Sequence, residues 1–213
     1  MREIYLVRHG MPKFEDKDET PIYLGGWTDI NLRDDAKSAA AKLAEYFKDK
    51  RIDNYYTSPL KRTKQTLEAF IPEGKQPIEL EDAREIIYGE WEGKPKAEYF
   101  PKYKKAYMTA NAPEELFPKG HETQDHAARR LLDGIKKTEG NCVIVSHGGI
   151  MCLLVCLVEG IPYYRFLEGR NPYLGITKII EDDNGNYHVE FKEKEVVETE
   201  PDHTFLYMKE DEE

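Results

Sequence analysis

The amino-acid sequence predicts an α/β fold, a three-layer sandwich in which a mostly parallel sheet is covered by helices on both faces. Segments typical of strands and of helices alternate along the chain, which is the pattern of this class. Residues 142–146 read CVIVS, an apolar run expected of a strand that is covered on both faces. The length of 213 residues suits one domain.

The first half of the chain supplies two strands and two helices. Residues 3–8 (EIYLVR) predict a short buried strand. Apolar residues at helical spacing predict a helix over 31–49. Aromatic and β-branched residues predict a strand over 52–57, which ends at a Ser-Pro break. A helix is predicted over 60–70, and a turn region follows over 72–77.

The second half continues the alternation. Helices are predicted over 97–110 and 122–137, and a third over 149–159 follows the strand at 142–146. Two segments of alternating pattern, ITKIIE and YHVEFKEK, flank DDNGN, which is a strong hairpin signal. The chain therefore closes with two antiparallel strands.

We expect one domain over 1–213, with a cap-like insertion over about 94–121 and an acidic tail over about 209–213. The net charge of −10 makes general binding of nucleic acid or of an anionic membrane surface unfavourable. There is no secretory signal pattern and no apolar run of membrane-spanning length, so we expect a cytoplasmic protein. The three cysteines are expected as core thiols in a reducing compartment.

Polar motifs follow three of the predicted strands. The first strand ends in RHG, the second leads into SPLKR and the third into SHGG. Ligands of open parallel sheets bind at the carboxyl ends of the strands. If these strands are parallel neighbours, Arg8, His9, Arg62 and His147 converge on one cationic pocket of an otherwise acidic protein.

Such a pocket suits a phosphoryl group. Guanidinium groups match phosphate oxygens bidentately, and a helix that begins at Gly149 would point N–H groups at an anion. A neutral imidazole can also attack phosphorus and hold it covalently. The departing alkoxide then needs a proton from a carboxylic acid, and EIIYGEWEG offers Glu85, Glu90 and Glu92.

The order of these motifs resembles that of the histidine phosphatase superfamily, in its phosphoglycerate-mutase-like branch. The resemblance rests on LVRHG, GGWTDINL, SPLKRTKQT, EIIYGEWEG and SHGGIM, and it spans nearly the whole chain. GHETQDHAARR is similar to the family's GES segment and the helix arginine after it, here Arg129. The resemblance implies a phosphoglycerate-mutase-like fold. Met11 and Pro12 depart from the family pattern.

The resemblance also implies roles for individual residues. His9 would be the phosphorylated nucleophile, and Glu85 would be the general acid and base, with Glu90 as the fallback. A further set would hold the phosphoryl group and the substrate around it: Arg8, Gly26, Arg62, His147 and Gly148. Aromatic and lysine side chains near the insertion either select the substrate or pack the cap: Lys13, Phe14, Tyr23, Trp27, Tyr99, Tyr103 and Tyr107.

The implied activity is hydrolysis of a small phosphorylated metabolite through a phosphohistidine, with no metal and no cofactor. Two alternatives stay open. A phosphoglycerate mutase would share the phosphohistidine but return the phosphoryl group to a bound acid. A non-catalytic relative would bind a phosphorylated ligand or a partner protein. A homodimer is a further expectation, because dimers are common in this superfamily.

Overall fold

A computed structural model describes residues 1–13 and 24–197 of the chain. Its centre is a six-stranded sheet, and the candidate site residues follow the carboxyl ends of three of its strands. The strands are β1 (Arg2–Arg8), β2 (Asn54–Thr57), β3 (Pro77–Glu79), β4 (Cys142–Ser146), β5 (Ile176–Glu181) and β6 (Tyr187–Lys194).

The strand order is β3-β2-β4-β1-β5-β6. Strand β4 is parallel to both of its neighbours, β1 and β2, and β3 is parallel to β2. Strands β5 and β6 close the other edge as an antiparallel hairpin. The carboxyl ends of the parallel strands β1, β4 and β2 therefore lie side by side at the same end of the sheet.

Helices cover both faces of this sheet. They are α1 (Asp34–Ala41), α2 (Leu43–Phe47), α3 (Lys61–Glu68), α4 (Lys96–Tyr107), α5 (Gln124–Lys136) and α6 (Gly148–Glu159). Short 3-10 helices are found at Glu81–Ala83, Gly89–Trp91, Glu114–Leu116 and Tyr163–Gly169.

Side chains of β1 alternate between two apolar clusters, as the period of two in a strand requires. Ile4 and Leu6 join the cluster under α4, α5 and α6. Tyr5 and Val7 join the cluster under α1, α2 and α3. Burial on both faces confirms the predicted α/β class and explains why the central strands are apolar throughout.

One predicted element was wrong in detail, and others were not predicted. The helix predicted over 31–49 is divided at Lys42. The Lys42 N–H donates to the Ala39 carbonyl in a tight turn. The turn region over 72–77 runs into β3, a short edge strand that is exposed throughout and so carries no alternating pattern. The helix at Tyr163–Gly169 was not predicted.

The segment predicted as a cap-like insertion, 94–121, contains α4. Phe100, Tyr103 and Tyr107 of this helix are buried in the same cluster as α5 and α6. The predicted acidic tail, 209–213, lies outside the described residues. Within 1–13 and 24–197, no single helix is long and apolar enough to cross a membrane.

Candidate active site

The site is built where β1, β4 and β2 end. Arg8 is paired in register with Ser146, and the His9 N–H donates to the Ser146 carbonyl. On the other side of β4, the Ser58 N–H donates to the Val145 carbonyl. The three motifs therefore start from neighbouring strand ends, and the structure brings their side chains together.

His9 is buried, with 6% of its surface exposed. Its Nδ1 lies 2.6 Å from the Gly10 carbonyl oxygen, which can only accept, so Nδ1 carries a proton. Burial, followed by the charges of Arg62 and Arg8, lowers the pKa of His9 well below its usual range. The ring is therefore neutral near pH 7, and its Nε2 is an unprotonated nitrogen.

His147 lies 5.2 Å from His9, measured between ring centroids. Arg62 donates from Nε to the Nδ1 of His147 over 3.1 Å, so the proton of this ring is on Nε2 and is donated to Ser58 Oγ over 2.9 Å. Burial and the charge of Arg62 lower the pKa of His147 well below its usual range. His147 is thus a neutral donor.

Arg62, at the start of α3, is fixed by main-chain carbonyls. Its Nη1 and Nη2 donate to the carbonyls of Thr28 and Gly26, each over 2.7 Å. Gly26 has a positive φ of 43°, and a Cβ there would lie 2.5 Å from Oε1 of Glu92. A larger residue at this position would be strained by the backbone conformation and would have to displace the Glu92 side chain.

Arg8, at the end of β1, is buried beside the first residue of α6. Its Nη1 donates to the Asn171 carbonyl over 2.7 Å, and its guanidinium carbon lies 3.9 Å above the ring of Tyr173. A Cβ on Gly148 would lie 2.8 Å from Arg8 Nε. Gly148 thus makes room for the guanidinium.

Glu85 is buried against the start of α6. Its Oε1 accepts the Ile150 N–H over 2.8 Å and its Oε2 accepts the Gly149 N–H over 3.1 Å. The expectation that these N–H groups face the phosphate was wrong, because the Glu85 carboxylate takes them. Glu90 is exposed, and Glu92 instead accepts from the main chain of the loop near Gly26.

The helix arginine near the site is Arg130, so the assignment of Arg129 was wrong. The Arg129 side chain is 61% exposed and pairs with Asp125. The Arg130 side chain is only 13% exposed and reaches Glu122 and the segment that carries Glu85. Arg130 is three residues from the buried Ala127, and this spacing is the signal that could have identified it.

The aromatic and lysine side chains predicted to select the substrate or to pack the cap fall into two groups. Tyr103 and Tyr107 are buried core residues, whereas Trp27 is exposed in part and donates from its indole to the Glu85 carbonyl. Tyr99 packs against the core, and Lys13 is exposed. Phe14 and Tyr23 lie outside the described residues. Four residues that support the polar groups of the site had no predicted role: Ser58, Asn171, Tyr173 and Arg130.

Two neutral imidazoles, two guanidinium groups and a carboxylate thus surround one position at the sheet edge. The guanidinium groups can neutralise a phosphoryl group, and an imidazole nitrogen can attack it. In the part of the chain that the structure describes, His, Cys, Asp and Glu side chains form no group of three that could hold a metal ion.

Such a fold and site define a phosphoryl-transferring α/β enzyme. The profile of the histidine phosphatase superfamily (branch 1) matches residues 4–194, and the chain belongs to this family. It is 31% identical to the uncharacterised phosphatase PhoE of Bacillus subtilis, over 75% of this chain and 79% of that protein. It is 28% identical to phosphoserine phosphatase 1 of Hydrogenobacter thermophilus, over 78% of this chain and 80% of that protein.

Solved structures agree with this assignment. A mutant phosphoserine phosphatase from Entamoeba histolytica, in complex with phosphoserine, is 25% identical and has a TM-score of 0.74, over 91% of this chain and 98% of that chain. Among the sequence relatives, phosphoglycerate mutase 1 of Saccharomyces cerevisiae is 31% identical, but over only 48% of this chain and 42% of that protein. Family and relatives indicate that the chain is a phosphatase-type hydrolase.

Proposed function

We propose that the protein is a metal-independent phosphomonoesterase that hydrolyses a small phosphorylated metabolite through a phosphohistidine on His9. The observation that carries the proposal is the state of the His9 ring. Its Nδ1 proton is bound to the Gly10 carbonyl, so the neutral ring presents Nε2 as the nucleophile.

In the first half of the reaction, Nε2 of His9 forms a bond to phosphorus while the bond from phosphorus to the ester oxygen breaks. Glu85, in its protonated form, gives its proton to the departing alkoxide, which leaves as the alcohol. Arg8, Arg62 and His147 stabilise the charge on the transferred phosphoryl group. Gly26 and Gly148 keep these groups in place around the substrate.

In the second half, a water molecule attacks phosphorus, and the Glu85 carboxylate takes a proton from this water. The bond between phosphorus and His9 Nε2 breaks, and inorganic phosphate leaves. Glu85 is then protonated again and His9 is neutral, so the site is ready for the next ester.

A third cation supports a substrate with a second anionic group. Lys96, at the first position of α4, is buried, and its charge contributes to the lowered pKa of His9. The relatives named as phosphoserine phosphatases support the same class of substrate, a phosphate ester that carries a carboxylate.

Two comparisons favour a phosphatase over a mutase. The matches to PhoE and to phosphoserine phosphatase 1 cover 75% and 78% of this chain, whereas the match to the yeast mutase covers 48%. The mutase remains the alternative activity, and a non-catalytic phosphate-binding protein is the alternative of another class.

The test is release of inorganic phosphate from a panel of monoesters in the presence of EDTA. The panel holds an aryl phosphate, phosphoserine, phosphoglycerates, sugar phosphates and nucleotides. The wild-type protein should release phosphate, His9→Ala should not, and His188→Ala, at an exposed position of β6, should match the wild type. Interconversion of phosphoglycerates without phosphate release would establish the mutase, and turnover by His9→Ala would exclude the phosphohistidine.

A further inference from the structure

We propose that Arg130, through its ion pair with Glu122, is a positioning residue that fixes the segment carrying Glu85 and so aims the proton donor at the departing oxygen. The inference rests on the proposed function of Glu85. It concerns a helix residue that does not itself touch the phosphate-binding groups described above.

The guanidinium of Arg130 binds three main-chain carbonyls of one short segment. Its Nη1 donates to the carbonyls of Asp82 and Arg84, over 2.7 and 3.0 Å. Its Nη2 donates to the carbonyl of Glu85 over 3.1 Å. One side chain on α5 therefore determines where the main chain runs immediately before and at the proposed acid.

Glu122 holds Arg130 and the far end of the same segment. Its carboxylate accepts Arg130 Nε over 2.7 Å and Nη2 over 2.8 Å, and only 3% of the side chain is exposed. The Ile87 N–H approaches Glu122 Oε2 at 3.3 Å, while the Glu122 N–H donates to the Ile87 carbonyl. The ion pair thus binds the chain on both sides of Glu85.

The Glu85 carbonyl also accepts from Trp27 Nε1 over 2.7 Å. Two donors, Trp27 and Arg130, therefore hold one carbonyl, while the carboxylate of the same residue is bound at the start of α6. Main chain and side chain of Glu85 are both fixed before a substrate arrives. Such preorganisation is what proton transfer to a departing oxygen requires.

Stability alone is a weak reason for this arrangement. Burying an ion pair carries a desolvation cost that apolar residues of similar size would avoid. The pair lies beside the proposed acid, and its donors are directed to the carbonyls around that residue. Placement of Glu85 accounts for both observations.

The chain offers a matched pair of variants. Arg130→Gln removes the buried charge and the forked donor, whereas Arg129→Gln changes the neighbouring arginine, whose side chain is exposed and pairs with Asp125. Each variant is assayed with phosphoserine, whose alkoxide leaving group needs a proton, and with an activated aryl phosphate, whose leaving group does not.

Arg130→Gln should lower kcat/KM for phosphoserine about tenfold more than kcat/KM for the aryl phosphate, part of the roughly 10²–10⁴-fold effect of a general acid. The ratio kcat/KM is compared because it reports the step in which the ester oxygen leaves, before the hydrolysis step that the two esters share. Arg129→Gln should leave the ratio of the two rates unchanged. Inhibition by inorganic phosphate should not change, because Arg8 and Arg62 are intact. Arg130→Lys keeps the positive charge but lacks the branched guanidinium group. It should therefore bring the ratio of the two rates only part of the way back to the wild-type value.

Equal losses of kcat/KM for the two esters in Arg130→Gln, which leave their ratio unchanged, would overturn the inference. If Arg130→Gln does not fold, Trp27→Phe removes the other donor to the Glu85 carbonyl and should change the ratio in the same direction, several-fold. An unaltered ratio there would also count against it. Absence of phosphate release by the wild type would instead refute the proposed function, so the two failures are distinguishable.

Discussion

Gly148 shows how a single missing side-chain atom shapes the site. A Cβ at this position would lie 2.8 Å from Nε and 3.0 Å from Cζ of Arg8, so the guanidinium would have to move. Gly148→Ala should therefore raise KM for the ester about ten- to hundredfold, the equivalent of one weakened charged hydrogen bond.

The control for Gly148→Ala is Gly25→Ala, because a Cβ on Gly25 meets nothing within 4 Å. Steady-state kinetics of both variants, together with their melting temperatures, separate a displaced Arg8 from a destabilised fold. A normal KM for Gly148→Ala would show that the guanidinium tolerates the shift.

Substitution of Glu85 tests the proton donor directly. Glu85→Gln keeps the size and most hydrogen bonds of the side chain but carries no acidic proton. We expect kcat/KM for an alkyl phosphate to fall about 10²–10⁴-fold, with a much smaller loss of kcat/KM for an activated aryl phosphate. Glu90→Gln, at an exposed position, should change neither rate. Equal slowing of both esters in Glu85→Gln would place the acid elsewhere.

Individual site residues could be predicted where they belong to a sequence motif. They were difficult to predict where only their position in the folded structure identifies them. His9 and His147 could be selected because each directly follows an apolar strand segment. Arg129 and Arg130 are adjacent arginines, and only the helical phase relative to Ala127 shows which of them faces inward. No sequence pattern could show that Trp27 donates to the Glu85 carbonyl, because this contact joins two distant loops.

Among the elements, α5 begins with a side-chain cap. Thr123 Oγ1 accepts the His126 N–H over 3.3 Å, which satisfies one of the first N–H groups of the helix. Thr123→Ala should cost about 1 kcal/mol of unfolding free energy. Urea denaturation is the measurement, and Thr109→Ala, at an exposed position, is the control. A loss no greater than in the control would mean that water replaces the cap.

Helix α6 begins without a side-chain cap from its own N-cap residue. The Gly149 and Ile150 N–H groups are instead satisfied by Glu85, which comes from a segment far away in the sequence. Central strands and the closing hairpin were predictable because their patterns are local. Edge strand β3 and the start of α6 were not, because exposure removes the pattern in one and the partner is non-local in the other.

At the scale of the whole molecule, two buried neutral histidines make stability depend on pH. The pKa values of His9 and His147 in the folded protein lie well below about 6.5, the ordinary value expected in the unfolded chain. The unfolded chain therefore binds more protons between these values. Their stabilisation is complete above about pH 6.5 and is lost as the pH falls through the folded pKa values.

Each pKa unit of difference is worth about 1.4 kcal/mol for each histidine, so the melting temperature should fall between pH 7 and pH 5. His9→Asn should reduce this slope, and His188→Asn, at an exposed position, should leave it close to that of the wild type. A slope that does not respond to His9→Asn would assign the pH dependence to other groups.

The overall architecture followed from the alternation of strands and helices, since a sheet covered on both faces is the arrangement that buries the apolar segments. The order of the strands did not follow from it. The position of β4 between β1 and β2, which brings the two histidines together, depends on long-range pairing that local patterns do not encode.

The three cysteines have a practical consequence. All three thiols are buried, and burial raises the pKa values of Cys142 and Cys156 to about 11. A thiol reagent can therefore modify them only when the surrounding core opens. The rate at which these thiols are alkylated in the folded protein therefore measures how often the core opens. Mass spectrometry can follow this rate without an engineered label.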